Sequence, residues 1–289
     1  MSSLISSLVY SISPTSFSGN STSCPRRRST AICFPIARAT TLLHAAKHTV
    51  DTYIKSGMVI GLGSGRASGM AIQYLGHLLH AGALKDIVGI PMSVASANEA
   101  AKAGIPLEKY EDGSQIDFAF DDADIIEQKT LIGIIGRQNM QGEESIIQEK
   151  SILNAADKHV FMVTEKQYKG TLDGSIPVVV QSLNWMETAE EIDDMFLGDA
   201  EVWRRSSIGQ AGPLGGDFPL ITREGHNVLD VIFTSPIQSL AEVAESLDKV
   251  NGVVDHGIVY KFPSIAVIAS DNELCIIDNP PTDAMRVIL

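Results

Sequence analysis

Along this chain the spacing of apolar positions changes repeatedly, and each change marks an element. From about residue 42, stretches with apolar residues three and four apart exchange with short continuous apolar runs. "TLLHAAKHTVDTYIK" predicts a helix, "GMVIGLG" a strand, "ASGMAIQYLGHLLHAG" a helix and "DIVGIPMS" a strand. Helix "SANEAAKAG" follows, then "IDFAFDDADII", a strand running into an acidic turn. "EESIIQEKSILNAA" is again helical, and "HVFMVTE" is a short buried strand. Strand and helix in alternation are the order of a parallel sheet with crossover helices.

After residue 170 the rhythm changes. "IPVVVQS", "AEVWRR" and "HNVLDVIF" read as strands, "METAEEIDDMF" and "PIQSLAEVAESLDKV" as helices. That βαββα order suggests a small ferredoxin-like α+β unit over residues 171–252, with the Gly/Pro-rich "IGQAGPLGGDFPL" as a loop between its central strands. Beyond Gly252, "GIVYKF", "IAVIAS" and "LCIID" are strands that rejoin the first domain, which thus covers 41–170 and 253–289. The fold class is α/β with an inserted α+β domain.

Composition narrows the possibilities. The chain has 289 residues, 44% of them hydrophobic, enough for a real core and about two domains. No run approaches the ~20 apolar residues of a membrane helix, so no membrane partner is expected. Residues 1–40 differ from the rest: they are dense in Ser and Thr, carry Arg26, Arg27 and Arg28, and precede the first acidic residue, Asp51. That is the signature of an organelle transit peptide, expected to be disordered and addressed to a plastid. Residues 1–50 carry five basic and no acidic side chains, so without them the formal charge of −13 becomes −18. A chain so acidic is not expected to bind nucleic acid. Cys24 and Cys33 lie in the leader, which leaves Cys275 without an internal disulfide partner. No Cys/His spacing suits a metal, and neither metal nor cofactor is expected.

Candidate chemistry begins at the glycine turn after "MVIGLGSG". A strand, alternating glycines and a helix form an anion seat, because free amides and the positive dipole end meet there. A dinucleotide site also needs an acidic residue ending the second strand, where "GIPMS" has none, and a Walker loop needs Gly-Lys-Ser/Thr. A smaller phosphorylated ligand on the amides near Ser64, Gly65 and Arg66 remains, beside a turn that needs glycine for geometry alone. "FAFDDADII" places Asp121, Asp122 and Asp124 where a strand leaves the sheet, and mutual repulsion there raises a carboxyl pKa. "SIIQEK" offers Glu149 on the next helix. Taken singly, an acidic turn also caps helices, and Glu149–Lys150 also fits a solvated helix face.

In several ordered motifs the chain resembles the type A ribose-5-phosphate isomerases, from about Leu43 to Leu289. "SGMVIGLGSG" is similar to that family's G-L-G-T-G-S-T-A turn, "GIPMSVAS" to its strand ending in a substrate-facing Ser, here Ser93, and "FDDAD" to its D-G-A-D. "SIIQEK" resembles its A-L-L-R-E-K helix and "VNGVVDHGIV" its P-G-V-V-x-x-G-L-F. The resemblance implies a Rossmann-like domain with a ferredoxin-like insertion and a homo-oligomer, dimer or tetramer. It also implies metal-free interconversion of ribose 5-phosphate and ribulose 5-phosphate, a phosphorylated pentose being the partner. By position it makes Glu149 the proton-shuttling base and assigns Asp121 and Asp124 to ring opening and sugar hydroxyls. Ser64, Gly65, Arg66 and Ala67 take the places of the T-G-S-T turn.

The chain also departs from the family. "LIGIIGRQNMQGEES" replaces a shorter K-G-G/R-G-G segment, and Ile134, Ile135 or Met140 stands where the family has Lys. At the family's D-E-S-K, "TEKQYK" puts Tyr168 at the lysine position with Lys169 beside it, and Asp122 replaces the glycine of D-G-A-D. Arg66, Arg137 and Lys169 are candidate compensating cations. Two readings stand here: an isomerase, or a non-catalytic paralogue that binds a phosphosugar or an isomerase subunit.

Overall fold

The computed structural model describes residues 30–35, 41–137, 145–207, 218–260, 264–271 and 273–278. Met140 and most of "IGQAGPLGGDFPL" lie outside them. In chain order the elements are β1 (Thr30–Pro35), α1 (Thr41–Tyr53), β2 (Val59–Leu62), α2 (Arg66–His80), β3 (Val88–Pro91), α3 (Val94–Lys102) and β4 (Phe118–Asp122). Next come β5 (Ile125–Glu127), β6 (Gly133–Ile134), α4 (Ile146–Ala155), β7 (His159–Thr164) and β8 (Tyr168–Lys169). The smaller unit follows with β9 (Leu172–Val180), α5 (Trp185–Met195), β10 (Ala200–Arg204), β11 (Asn227–Ile237), α6 (Leu240–Leu247) and β12 (Val253–His256). The chain returns through β13 (Ile258–Val259), β14 (Ser264–Ala269) and β15 (Glu273–Asp278).

The main sheet runs β1-β15-β14-β7-β4-β2-β3. Its β3, β2, β4, β7 and β14 pair in parallel, whereas β15 and β1 add antiparallel. The parallel strands carry unbroken apolar runs because both faces are covered. Ile60, Leu62, Phe118, Phe120 and Val160 pack with α1 and α2 on one side. Ala119, Phe161, Val163 and Ile152 of α4 pack on the other. Chain order reverses between β2 and β4: from β2 the chain moves out to β3 and comes back to pair β4 on the opposite side. In open α/β sheets ligands bind at such a switch point, outside the carboxyl ends of the strands.

The second sheet, β10-β11-β9-β12, is wholly antiparallel and carries α5 and α6. Its βαββαβ order is the ferredoxin-like arrangement. The boundary predicted at Gly252 falls one strand early, since Val253–His256 complete this sheet. The apolar run "FAFDDADII" is two strands, not one: β5 leaves the main sheet and joins a small sheet, β13-β6-β5-β8. "GIVYKF" enters that small sheet through β13, while "IAVIAS" and "LCIID" join the main sheet as β14 and β15.

The leader needs correction as well. Thr30–Pro35, predicted to be disordered, pair with β15 along six residues. Cys275 is disulfide-bonded rather than a lone thiol, and Cys33 stands opposite it in the register. The expectation failed because Cys33 was assigned to a detached segment, and strand pairing brings it back to the sheet.

Candidate active site

The turn after β2 carries the close approach on which the site is built. A side chain at Gly63 would collide with the backbone of Phe120 and Asp121, so glycine alone lets the turn lie against the end of β4. Gly65 sits at φ +112, where a Cβ would come 2.6 Å from Asp122 Cγ. Gly65 is also the N-cap of α2 and brings no capping side chain. The first amides of a helix have no partners of their own, and here β4 supplies one across the sheet. Asp122 accepts from Ala67 N at 2.9 Å, Ser68 N at 2.7 Å and Ser68 Oγ at 2.7 Å, as well as from the Arg66 amide. Next to it, Asp121 Oδ1 accepts from Ser64 N at 2.8 Å. Of the anion seat predicted at Ser64, Gly65 and Arg66, the Ser64 and Arg66 amides are therefore already bonded to the chain's own carboxylates.

Asp121 is wholly buried. Burial pushes its carboxyl well above the usual range, and the charge and hydrogen bond of Glu149 push it further. Burial raises Asp122 too, while its amide donors pull the other way. Glu149 reaches this pair from α4, whose N-cap Ser145 accepts from Gln148 N at 3.1 Å through its hydroxyl. Ile146, Lys150 and Leu153 form the buried stripe of α4, and Glu149 flanks it at half-burial. The carboxylate therefore points at the switch point and away from bulk water.

A cavity of about 580 Å³ opens over these groups. Ser64, Gly65, Arg66, Asp122, Asp124, Gly136, Glu149, Thr164, Lys166 and Gln167 line it, with Leu42, Ala123, Ile135 and Ile146 as its apolar wall. Ser64 Oγ is buried and meets no hydrogen-bond partner among the described residues. Asp124 is held by the Arg137 amide at 2.7 Å, and its own amide donates to Ile134 O at 2.8 Å. Gln167 ties the end of β7 to the acidic turn, accepting from Thr164 Oγ1 and donating to Ala123 O at 2.6 Å.

Of the predicted site residues, Glu149, Asp124, Ser64, Gly65 and Arg66 line the cavity, and Asp121 lies behind Glu149. Four others do not reach it. Ala67 is buried and contributes its amide to Asp122. The Ser93 hydroxyl caps α3 in a reciprocal pair with Ser96 rather than facing a ligand. Arg137 turns its guanidinium to Asp173 O at 2.9 Å, and burial lowers its pKa. Lys169 lies 4.0 Å from Asp173 on a half-buried strand, because β8 turns away into the small sheet.

Two side chains at the cavity were missed. Lys166, not Lys169, brings a cation to the cavity. Its signal was its place just after β7, at the ligand-binding edge of the sheet. Arg205 holds the cavity wall from the smaller domain, donating to Gly136 O at 2.7 Å and bidentately to Asp230 at 2.8 and 2.5 Å.

The cavity brings a carboxylate pair, a buried hydroxyl and a cation to one sheet edge, a set suited to acid–base chemistry on a small polar molecule. Residues 88–273 match the sequence profile of the family described as ribose 5-phosphate isomerase A (phosphoriboisomerase A). Ribose-5-phosphate isomerase A of Gluconobacter oxydans is 34% identical over 228 residues, covering 78% of this chain and 91% of that protein. Probable ribose-5-phosphate isomerase 3, chloroplastic, of Arabidopsis thaliana is 30% identical over 79% of each chain. Among solved structures, ribose 5-phosphate isomerase of Plasmodium falciparum superposes with a TM-score of 0.71 at 26% identity, covering 84% of this chain and 99% of that one. On a profile spanning most of its folded residues and on relatives covering more than two thirds of its length, this chain belongs to the ribose 5-phosphate isomerase A family.

Proposed function

We propose that this chain interconverts D-ribose 5-phosphate and D-ribulose 5-phosphate, with Glu149 as the base that moves the proton between C2 and C1. One observation carries the reading: Glu149 faces the cavity from a capped helix while buried Asp121 backs its carboxylate. Aldose–ketose isomerisation through an enediolate needs one poised base and donors beside the developing oxyanion. Ser64 Oγ is a donor this cavity offers for that role. Asp124, fixed by the Arg137 amide, is placed to accept from a sugar hydroxyl or to assist ring opening.

The test is a coupled assay on the purified chain beside Glu149→Gln. Removing the base lowers kcat by about 10² to 10⁴ with the melting temperature kept; unchanged kcat would exclude this role. The second reading, a sugar-phosphate binder without turnover, draws support from Asp122 in the anion seat. Calorimetric binding of ribose 5-phosphate with no turnover by the unmodified chain selects it.

The reading extends to place and assembly. Similarity to a relative named chloroplastic supports a plastid location; the place of the reaction in the pentose phosphate and reductive carbon-fixation routes is our own reading. Exposed Leu183, Leu197 and Phe218 on the smaller domain fit a homo-oligomer.

A further inference from the structure

The geometry points to Asp122 as a specificity-determining residue: its carboxylate closes the N-terminus of α2 to the substrate's phosphate, which is held instead by the side chains of Arg66 and Lys166. This inference rests on the sugar-phosphate reading of the cavity. Three independent observations carry it.

The first is donor accounting. A helix N-terminus attracts a phosphate because its leading amides are unpaired. Here the Arg66, Ala67 and Ser68 amides and the Ser68 hydroxyl all donate to one carboxylate. A phosphate could reach them only by displacing Asp122, whose charge opposes its approach.

The second is steric. The glycine N-cap leaves the place of a capping side chain vacant, and Asp122 Cγ stands 2.6 Å from where a Gly65 Cβ would be. The carboxylate thus fills the helix end as an internal cap, a more permanent arrangement than a passing contact.

The third is charge. Asp122, Asp124 and Glu149 all line the cavity, so a phosphate entering it meets repulsion unless cations answer it. Arg66 and Lys166 line the same cavity, and neither makes an ion pair among the described residues. Both are exposed and long enough to close over an anion at the rim. Guanidinium and ammonium groups bind phosphate through charge-assisted bonds that need no helix terminus.

Titration calorimetry of the full chain with inorganic phosphate tests this without reference to turnover, so failure of the isomerase reading and failure of this one are distinguishable. In the wild type, Arg66→Ala combined with Lys166→Ala weakens phosphate binding by about tenfold or more. Asp122→Gly frees the amides and tightens phosphate binding by about tenfold or more, and that gain persists when Arg66→Ala and Lys166→Ala are added. Asp122→Asn, which keeps an acceptor at the helix end without the charge, falls between wild type and Asp122→Gly and serves if the glycine variant does not fold. Phosphate affinity unchanged or weakened in the folded Asp122→Gly and Asp122→Asn variants overturns the proposal. So does wild-type binding that is indifferent to loss of both cations.

Discussion

Two carboxylates that face each other are both acceptors, and they bond only if a proton lies between them. Asp121 Oδ1 already serves Ser64 N and Asp122 N, while its Oδ2 meets no donor among the described residues. Burial first, and then the Glu149 charge, raise the Asp121 carboxyl, which favours Asp121 as the holder of that proton. A consequence for stability follows. The folded value of Asp121 lies above its ordinary 3.8, so its contribution is complete below that pH and is lost as pH rises through the folded value. His159 slopes the other way: burial lowers its imidazole from 6.5 to about 4, so stability is lost as pH falls across that window. Comparing wild type with Asp121→Asn cancels the His159 part. Asparagine keeps the acceptor for Ser64 N, offers Glu149 a permanent donor and cannot ionise. Urea denaturation across the range from about pH 4 to pH 8 should show the variant gaining on the wild type as pH rises. A flat difference profile would mean that Asp121 ionises as an ordinary carboxyl does.

At the scale of elements, α4 shows both what the sequence discloses and what it hides. Its existence was legible, and Glu149 was singled out by the resemblance of its helix to A-L-L-R-E-K, while local pattern alone also allowed a solvated Glu149–Lys150 face. Lys150 was not legible. A lysine beside a glutamate reads as solvated surface, since ammonium groups are seldom buried unless paired. Its partners arrive from far along the chain: Asp255 Oδ1 at 2.6 Å and His256 O at 2.9 Å, on β12 of the smaller domain. Lys150 Nζ also lies 3.2 Å from His256 Nδ1, and Nε2 of that ring faces Asp248 Oδ1 at 3.1 Å. Local pattern does not report such long-range pairing. The same limit explains the acidic turn, where one continuous apolar run conceals a change of sheet between β4 and β5. It explains Asp122 as well, since a helix capped from another strand has no spacing signature. Removing Lys150 strands Asp255 with a charge half-turned from water, so Lys150→Met should cost about 3 kcal/mol, the low end for breaking a buried pair. Chemical denaturation checks the value; a cost below about 1 kcal/mol would class the pair with surface ion pairs.

Across the whole molecule, the smaller domain reaches the site at three points. Glu224 accepts from the N-cap hydroxyl of α4 at 2.6 Å, Asp255 holds Lys150, and Arg205 bonds the Gly136 carbonyl in the cavity wall. If these contacts position the site rather than merely bind two lobes together, stability and catalysis should separate when one is redesigned. Arg205 offers the cleanest separation, because its guanidinium divides between a fold-bearing partner, Asp230, and a site-bearing one, Gly136 O. Arg205→Met alone leaves Asp230 buried and unpaired, at a cost of about 3 to 5 kcal/mol. Adding Asp230→Leu replaces the ion pair by apolar contact, which is commonly neutral or stabilising, so the melting temperature should return. The Gly136 carbonyl remains without its donor in both variants, and the wall that carries it is then free to shift. Misplacement of about 1 Å near reacting groups can cost as much as ~10² in rate. The double variant should therefore melt like the wild type while its kcat/KM for ribose 5-phosphate stays well below. Recovery of both quantities together would show that Arg205 supports the fold alone and that the cavity wall keeps its shape without the second domain.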